Sequence, residues 1–537
     1  MSTREELAAL RERLRREADG DGLGLTLLSA AIAAVLLSPV AWLFLRVTDI
    51  PTAEALSLLT APSTTRVLTN SVALVATVTT ATILLGVPLA LLTARTDLPF
   101  RRFFTVVLAL PLVVPSYIGA FAFVSAFGPR GVLADALAPL GVERLPEIYG
   151  LPGATLVLTL YVYPYVFLTT RAALFSLDAS LVEAARTLGK GRVGAFREVT
   201  LPRIVPGIAA GALLVALYTL SDFGTPTIMQ VDVFTSYIYV AYNGFAADQA
   251  ALLSMQLLGV TTVILALESR IGQDDASAYA SGGGGSATRI QLGAWRWVAA
   301  LCCLVVAGLA LVLPVGILLM WLFRGGLGYS GGGFEFELLF ALNSIGVSAA
   351  AALVSVLLAV PVGYVAVRRA SIPARLAERA TYVGYAMPGV VLGLALVYFG
   401  VRFVPTLYQT LPLLVFAYVV RFLPQAVGTT TSSVLQVDTH LLEAARALGQ
   451  SPGGAFRRVT LPLIWPGVLA GAALVFLTTM KELPATLLLR PTGFETLVSY
   501  IWRVQGAAYY GQAAIPALTL IVVSACSMAV ILAQERR

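Results

Sequence analysis

This sequence has little charge and few of the side chains that usually carry catalysis. Asp, Glu, Lys and Arg make up 12% of 537 residues, histidine occurs once and cysteine three times. His440 stands alone, and Cys302, Cys303 and Cys526 lie in apolar runs, so neither a zinc site nor a disulfide framework can be read. No G-x-x-x-x-G-K-[ST] phosphate loop occurs, which excludes ATP hydrolysis by this chain alone. No clustered His, Cys or serine-base arrangement points to a membrane-embedded enzyme. Mid-membrane ionisable residues are also too sparse for an ion-coupled secondary transporter.

Apolar sequence fills the chain instead. Hydrophobic residues account for 58% and the mean hydropathy is +0.85, values of a multispanning membrane protein. Runs of about 20 apolar residues cross the bilayer as helices. They fall near 24–45, 67–94, 103–127, 151–175, 204–221 and 250–268, then 296–323, 340–367, 380–403, 411–434, 464–480 and 512–533. The expected fold is an all-α polytopic membrane protein with about twelve transmembrane helices in two sets of six. Residues 1–22 differ, reading as a charged amphipathic cytoplasmic segment with no cleaved signal peptide.

A polar segment occurs twice. Residues 183–207, EAARTLGKGRVGAFREVTLPRIVPG, and 443–467, EAARALGQSPGGAFRRVTLPLIWPG, agree at 17 of 25 positions without a gap. Composition alone repeats apolar sequence, but not a polar register. Glu183, Ala184 and Ala185 open a short helix whose small side chains allow close approach of another protein, and Gly189 stands where a left-handed cap would end it. Leu201-Pro202 then leads into the next apolar run, where proline suits a helix start. Glu443, Ala444, Ala445, Gly449, Leu461 and Pro462 repeat the same points. Asn70-Ser71, Pro88 and Arg95 recur 273 residues later as Asn343-Ser344, Pro361 and Arg368, so the first half carries about thirteen extra residues, placed in the external loop near Pro129 to Leu151. The halves are thus 23–270 and 296–537, joined by a Gly- and Ser-rich flexible linker at 271–295. With an even number of spans each, they form parallel repeats with a translocation path expected between them.

The pattern E-A-A, three residues, Gly, nine residues, an apolar residue (Val199 or Val459), one residue, Leu-Pro resembles the coupling motif of ABC importer permeases. The resemblance implies two tandem six-helix permease halves of the type I importer kind, with both loops docking on ATPase subunits. It implies two copies of that ATPase, which would use ATP and Mg while this chain binds no cofactor, and an extracytoplasmic substrate-binding protein. Fused two-half chains of this family resemble chiefly ferric-iron importers and their thiamine and phosphonate-type relatives. The stretches KELPATLLLRPTGFETL, from Lys481, and SDFGTP look most like ferric-iron permeases. Thiamine or a phosphonate-type solute is the alternative substrate, and a metal-binding set is not readable.

Most of the 36 Lys and Arg residues collect in the N-terminal segment, the docking loops and the connections on their side. By the positive-inside rule these are cytoplasmic, as are both termini, and the net charge of +7 requires no nucleic acid. Asp222 and Glu482, 260 residues apart, directly follow apolar runs. A carboxylate at helix depth costs about 2.5 to 3.5 kcal/mol, which favours a cavity for both; helix capping at the outer interface is the other reading. Gly224, Pro226 and Pro484 are expected to interrupt the helices there. Tyr161 and Tyr163 match the region of Arg421 and suit either a pore lining or an interfacial aromatic belt. Arg421 needs an acidic partner, Glu482 or Asp222. With Lys481, these residues form the expected translocation set.

Overall fold

The computed structural model describes residues 22–128, 132, 133, 139, 141, 148–271, 290–324, 334–368, 372–507 and 509–534. The expected amphipathic segment, save Gly22, and most of the linker lie outside these residues. Among them the backbone is helical, apart from connections and one isolated parallel bridge between Thr96 and Ile290.

The first repeat comprises α1 (Gly22–Thr48), α2 (Pro62–Arg95), α3 (Arg101–Val107), α4 (Ser116–Phe127), α5 (Gly150–Ser176), α6 (Ala179–Thr187), α7 (Leu201–Ser221), α8 (Gly224–Ile228), α9 (Phe234–Asn243) and α10 (Ala247–Ile271). The second follows the same order: α11 (Trp295–Phe323), α12 (Leu338–Arg368), α13 (Ile372–Ala386), α14 (Gly389–Phe403), α15 (Leu411–Gln436), α16 (Thr439–Ala447), α17 (Leu461–Met480), α18 (Pro484–Leu489), α19 (Leu497–Gly506) and α20 (Ala514–Gln534). Among the described residues ten helices are long and apolar enough to span a bilayer, and twelve spans result if each of two bent pairs counts as one.

The single helices expected at 103–127 and 380–403 are each a bent pair. The helices bend by 94° before Ser116 and by 101° before Gly389. Proline is the cause. Val114 is extended ahead of Pro115, and Pro115 and Pro388 are themselves extended at the caps of α4 and α14. The breaks after α7 and α17 also fall earlier than Gly224, Pro226 and Pro484. Asp222 is already extended, while Gly224 and Pro484 open the next short helices and Pro226 sits in the first turn. Proline is tolerated there because the first helical N–H groups have no intrahelical acceptor.

Compactness groups the helices differently from the sequence repeats. One unit holds residues 46–337 and 497–525; the other holds 1–45, 338–496 and 526–537. Thus α11 belongs with the first repeat, where Cys303 is buried among Leu89, Phe104, Leu108 and Tyr163, and Trp321 meets Phe121 edge-on at 4.9 Å. Most of α1 belongs with the second repeat, its Trp42 lying 4.9 Å from both Phe399 and Phe403. The divisions 23–270 and 296–537 therefore describe duplication of sequence rather than compact bodies.

Within each unit the helix after the repeated polar loop presses on the helix before it. A Cβ on Gly211 would lie 2.7 Å from Val166 Cα, and one on Gly471 3.0 Å from Ala426 Cα, so α7 meets α5, and α17 meets α15, backbone to backbone.

Candidate functional site

The two polar loops are built alike. Asp178 caps α6 by accepting the Ser180 N–H at 2.9 Å, and Asp438 caps α16 by accepting the His440 N–H at 2.9 Å. The other ends are closed by paired reverse bonds. Gly189 N–H donates to Arg186 O and Lys190 N–H to Ala185 O, both at 3.1 Å; Gly449 N–H donates to Arg446 O at 2.9 Å and Gln450 N–H to Ala445 O at 3.1 Å. Gly189 and Gly449 have φ of 83° and 84°, the left-handed region glycine tolerates best.

Beyond each cap a short helical turn, Arg192–Ala195 or Pro452–Ala455, widens into a π turn, Phe196–Thr200 or Phe456–Thr460, before α7 and α17. Pro202 and Pro462 explain the widening. A proline ring clashes with the carbonyl four residues back, and one extra residue in the turn relieves that contact.

The loops expose Glu183, Ala184, Glu443 and Ala444, whereas Ala185 is half-buried and Ala445 buried. Pro202 and Pro462 are exposed, and Leu201 and Leu461 half-buried. The sequence reading passed over Leu188 and Leu448, which are 82% and 84% exposed at the two tips. Identical Leu-Gly pairs in both copies were the available signal. The loops differ in one brace: Lys190 Nζ meets Glu198 Oε1 at 2.9 Å in the first, while Arg458 Nη1 donates to Gln450 Oε1 at 3.1 Å in the second. The positions correspond, but an exposed ion pair in one is a charged-to-amide bond in the other.

Each loop is also tied to the helix two places earlier. Arg95 donates to Leu174 O and, at 3.5 Å, to Leu177 O; Arg368 donates to Val437 O at 2.9 Å. These are the terminal carbonyls of α5 and α15, which have no partner within their own helices. At the opposite ends of α2 and α12, the helices that carry Arg95 and Arg368, Asn70 donates to Asp232 O at 3.1 Å and Asn343 to Glu495 O at 2.8 Å.

The second matched place is where α7 and α17 stop. Asp222 is buried and caps α8, Oδ1 accepting the Thr225 N–H at 2.9 Å, while Oδ2 accepts the hydroxyl of Ser116, first residue of α4. The Tyr218 hydroxyl reaches Ser116 Oγ at 3.2 Å. Glu482 is likewise buried and caps α18, Oε1 accepting the Ala485 N–H at 3.2 Å and Arg421 Nη1 at 3.3 Å. Of its two expected partners, Arg421 therefore meets Glu482. The residue matching Ser116 is Gly389, whose Cβ would lie 2.0 Å from Arg421 Nη1 and 2.1 Å from Glu482 Oε1. Ser116 ties Asp222 directly to the bend before α4, whereas Arg421, on α15, ties Glu482 to α15 with Gly389 of the second bend packed against the pair.

Capping is accordingly the arrangement both carboxylates show. Lys481 lies half-buried at the end of α17. Tyr161 and Tyr163 depart from both expectations, being 2% and 0% exposed inside the core. The Tyr161 ring lies where a side chain on Gly119 would otherwise go, and the Tyr163 hydroxyl donates to Leu108 O at 2.8 Å. Among the described residues no group of three or more His, Cys, Asp or Glu is placed to hold a metal ion.

The family described as binding-protein-dependent transport system inner membrane component matches residues 82–325 and 355–537. The chain belongs to this family. The permease is 33% identical over 506 residues to an Fe(3+)-transport system permease protein of Haemophilus influenzae, covering 93% of this chain and 96% of that one. It is 28% identical to a probable ABC transporter permease protein of Sinorhizobium fredii, over 82% of this chain and 81% of the other. A probable molybdenum ABC transporter permease protein of Haloferax volcanii is 30% identical over 38% of this permease and 74% of its own length. The permease is a multi-pass inner-membrane transport component and not an enzyme.

Proposed function

We propose that this permease is the membrane subunit of an ATP-driven importer that receives ferric iron from an extracytoplasmic binding protein and releases it into the cytoplasm by alternating access. The observation carrying the substrate is the similarity to an Fe(3+) permease along 93% of the chain; the molybdenum-named relative matches 38%. Both polar loops then dock on ATPase subunits in the cytoplasm, where the termini also lie, and ATP and Mg act in those subunits alone.

The hydrogen bonds suggest how closure of the ATPases reaches the membrane. Each docking loop continues into α7 or α17, and those helices end at carboxylates fastened beside the bends before α4 and α14. Displacing a loop along its helix axis pulls on a bend, which a proline-broken helix accommodates more readily than a straight one. Asp222 and Glu482 act here as positioning residues, and iron passes as cargo.

The test is ATP-dependent uptake by proteoliposomes containing the permease and its ATPase, with the binding protein loaded in turn with Fe(III), molybdate, thiamine or a phosphonate. Uptake of iron alone supports the proposal. Uptake of another solute replaces the substrate and keeps the importer, whereas transport without ATPase would sink both. Combining Asp222→Asn with Glu482→Gln is expected to lower flux without lowering ATPase association; unchanged uptake would reduce the pair to helix caps.

A further inference from the structure

Tyrosine occurs at three alternate positions in the middle of α5, and only the third is partly exposed. Tyr161 and Tyr163 are enclosed in the core, whereas Tyr165 is half-buried. Its ring lies 6.1 Å from that of Tyr218 on α7, which is half-buried too. The Tyr218 hydroxyl donates to Ser116 Oγ at 3.2 Å, and the Ser116 hydroxyl to buried Asp222. Polar groups thus lead from the carboxylate to a partly exposed surface inside a candidate membrane span.

The second repeat has the same arrangement in different residues. Gln425 and Thr478 stand 260 residues after Tyr165 and Tyr218, on α15 and α17, and the Thr478 hydroxyl reaches Gln425 Oε1 at 3.1 Å. Both are half-buried as well. Polarity and partial exposure are kept at these places, while size, reach and aromatic character are not. A packing contact between helices would keep shape, whereas a wall that meets water at membrane depth asks only for polarity. The backbone agrees. Pro164 and Pro424 directly precede Tyr165 and Gln425 inside their helices, where each removes the N–H that would serve the carbonyl four residues back. Within a span, freed carbonyls are tolerated where neighbouring groups or water satisfy them.

We propose that Tyr165 and Tyr218 line a water-filled stretch of the translocation path and contact the passing solute through their hydroxyls. This rests on the importer reading, and it puts these two in the place expected for Tyr161 and Tyr163. Asp222 does not meet the solute; its oxygens accept from Thr225 and Ser116, and Ser116 in turn orients Tyr218. Neutral hydroxyls hold a charged solute more weakly than a carboxylate does, and transport requires release as well as binding.

The test uses the full-length permease with its ATPase in proteoliposomes, Cys302, Cys303 and Cys526 being changed to alanine so that introduced thiols alone react. Tyr165→Cys and Tyr218→Cys are expected to react with a charged methanethiosulfonate about tenfold faster than Leu84→Cys, exposed within α2, because a thiol surrounded by lipid does not form the reactive thiolate. A purely structural role between helices would leave that labelling slow. Tyr165→Phe with Tyr218→Phe keeps both rings and is expected to lower ATP-dependent uptake about tenfold, the worth of a lost hydrogen bond, with ATPase association unchanged. Labelling no faster than at Leu84→Cys, or full-rate uptake by the phenylalanine variant, would overturn the assignment. The importer reading fails separately, if wild type shows no ATP-dependent uptake of any solute.

Discussion

Gly389→Ala tests the arrangement at the bend of the second repeat. The new methyl carbon would stand 2.0 Å from Arg421 Nη1, 2.1 Å from Glu482 Oε1 and 3.1 Å from Pro484 Cγ. The first two separations are far inside van der Waals contact, so the ion pair must open. Its side chains are 13% and 6% exposed, and water does little to replace it. Losing a charge-assisted hydrogen bond of this kind costs about 2 kcal/mol. Arg421→Ala, which leaves Glu482 buried without its cation, costs about 3–5 kcal/mol. In that background Gly389→Ala has less to displace, and its added effect is expected to fall to about 0.5 kcal/mol, the scatter between uncoupled sites. The assay is a double-mutant cycle on equilibrium unfolding in mixed micelles, alongside ATP-dependent uptake. Equal losses from Gly389→Ala with and without Arg421 would refute the idea that glycine makes room for the pair.

Gly189→Arg and Gly449→Arg, each forcing a side chain into left-handed backbone, are expected to abolish uptake while leaving membrane insertion intact; full-rate transport with normal ATPase binding would remove the docking assignment. Leu188→Asp and Leu448→Asp alter side chains that are almost wholly exposed, so stability should change by no more than about 0.5 kcal/mol. ATPase binding should weaken by about 2 kcal/mol, roughly thirtyfold, if these leucines are interface anchors, and equal affinity in a pull-down titration would argue against that role. The Asp178 carboxyl is held below the usual carboxylate range because it accepts the Ser180 backbone N–H and then its hydroxyl. A depressed folded value means the cap is complete above the unfolded carboxylate range and is lost as pH falls through the folded value. A spin label at residue 187 should therefore gain mobility in acid in wild type, with a smaller change in Asp178→Asn; identical profiles would discount the cap.

The repeated polar loops were legible as a conformation because polar sequence seldom keeps its register by chance, and their ends carry residues with one conformational use, Gly189 and Gly449. The spans were legible from length and hydropathy. The bends before Ser116 and Gly389 were not, since hydropathy averaged over a span is blind to an extended Pro115 or Pro388. Tyr161 and Tyr163 were misplaced because an aromatic residue in a span shows its depth more readily than its facing. The contact of Ser116 with Asp222 crosses 106 residues and leaves no local pattern. Leu188 was hidden by being a leucine in a leucine-rich chain.

The placement of α1 has a consequence for synthesis. Trp42 precedes its ring partners Phe399 and Phe403 by 357 and 361 residues, as their numbers give directly. At a translation rate of about 5–20 residues per second, the first helix waits roughly 20–70 s in the bilayer before those rings emerge. Until then, lipid or the insertion machinery must cover the face that Trp42 presents. Tethering both repeats in one polypeptide means that the awaited surface always arrives, in equal number and in the same membrane, from the ribosome that made the first helix.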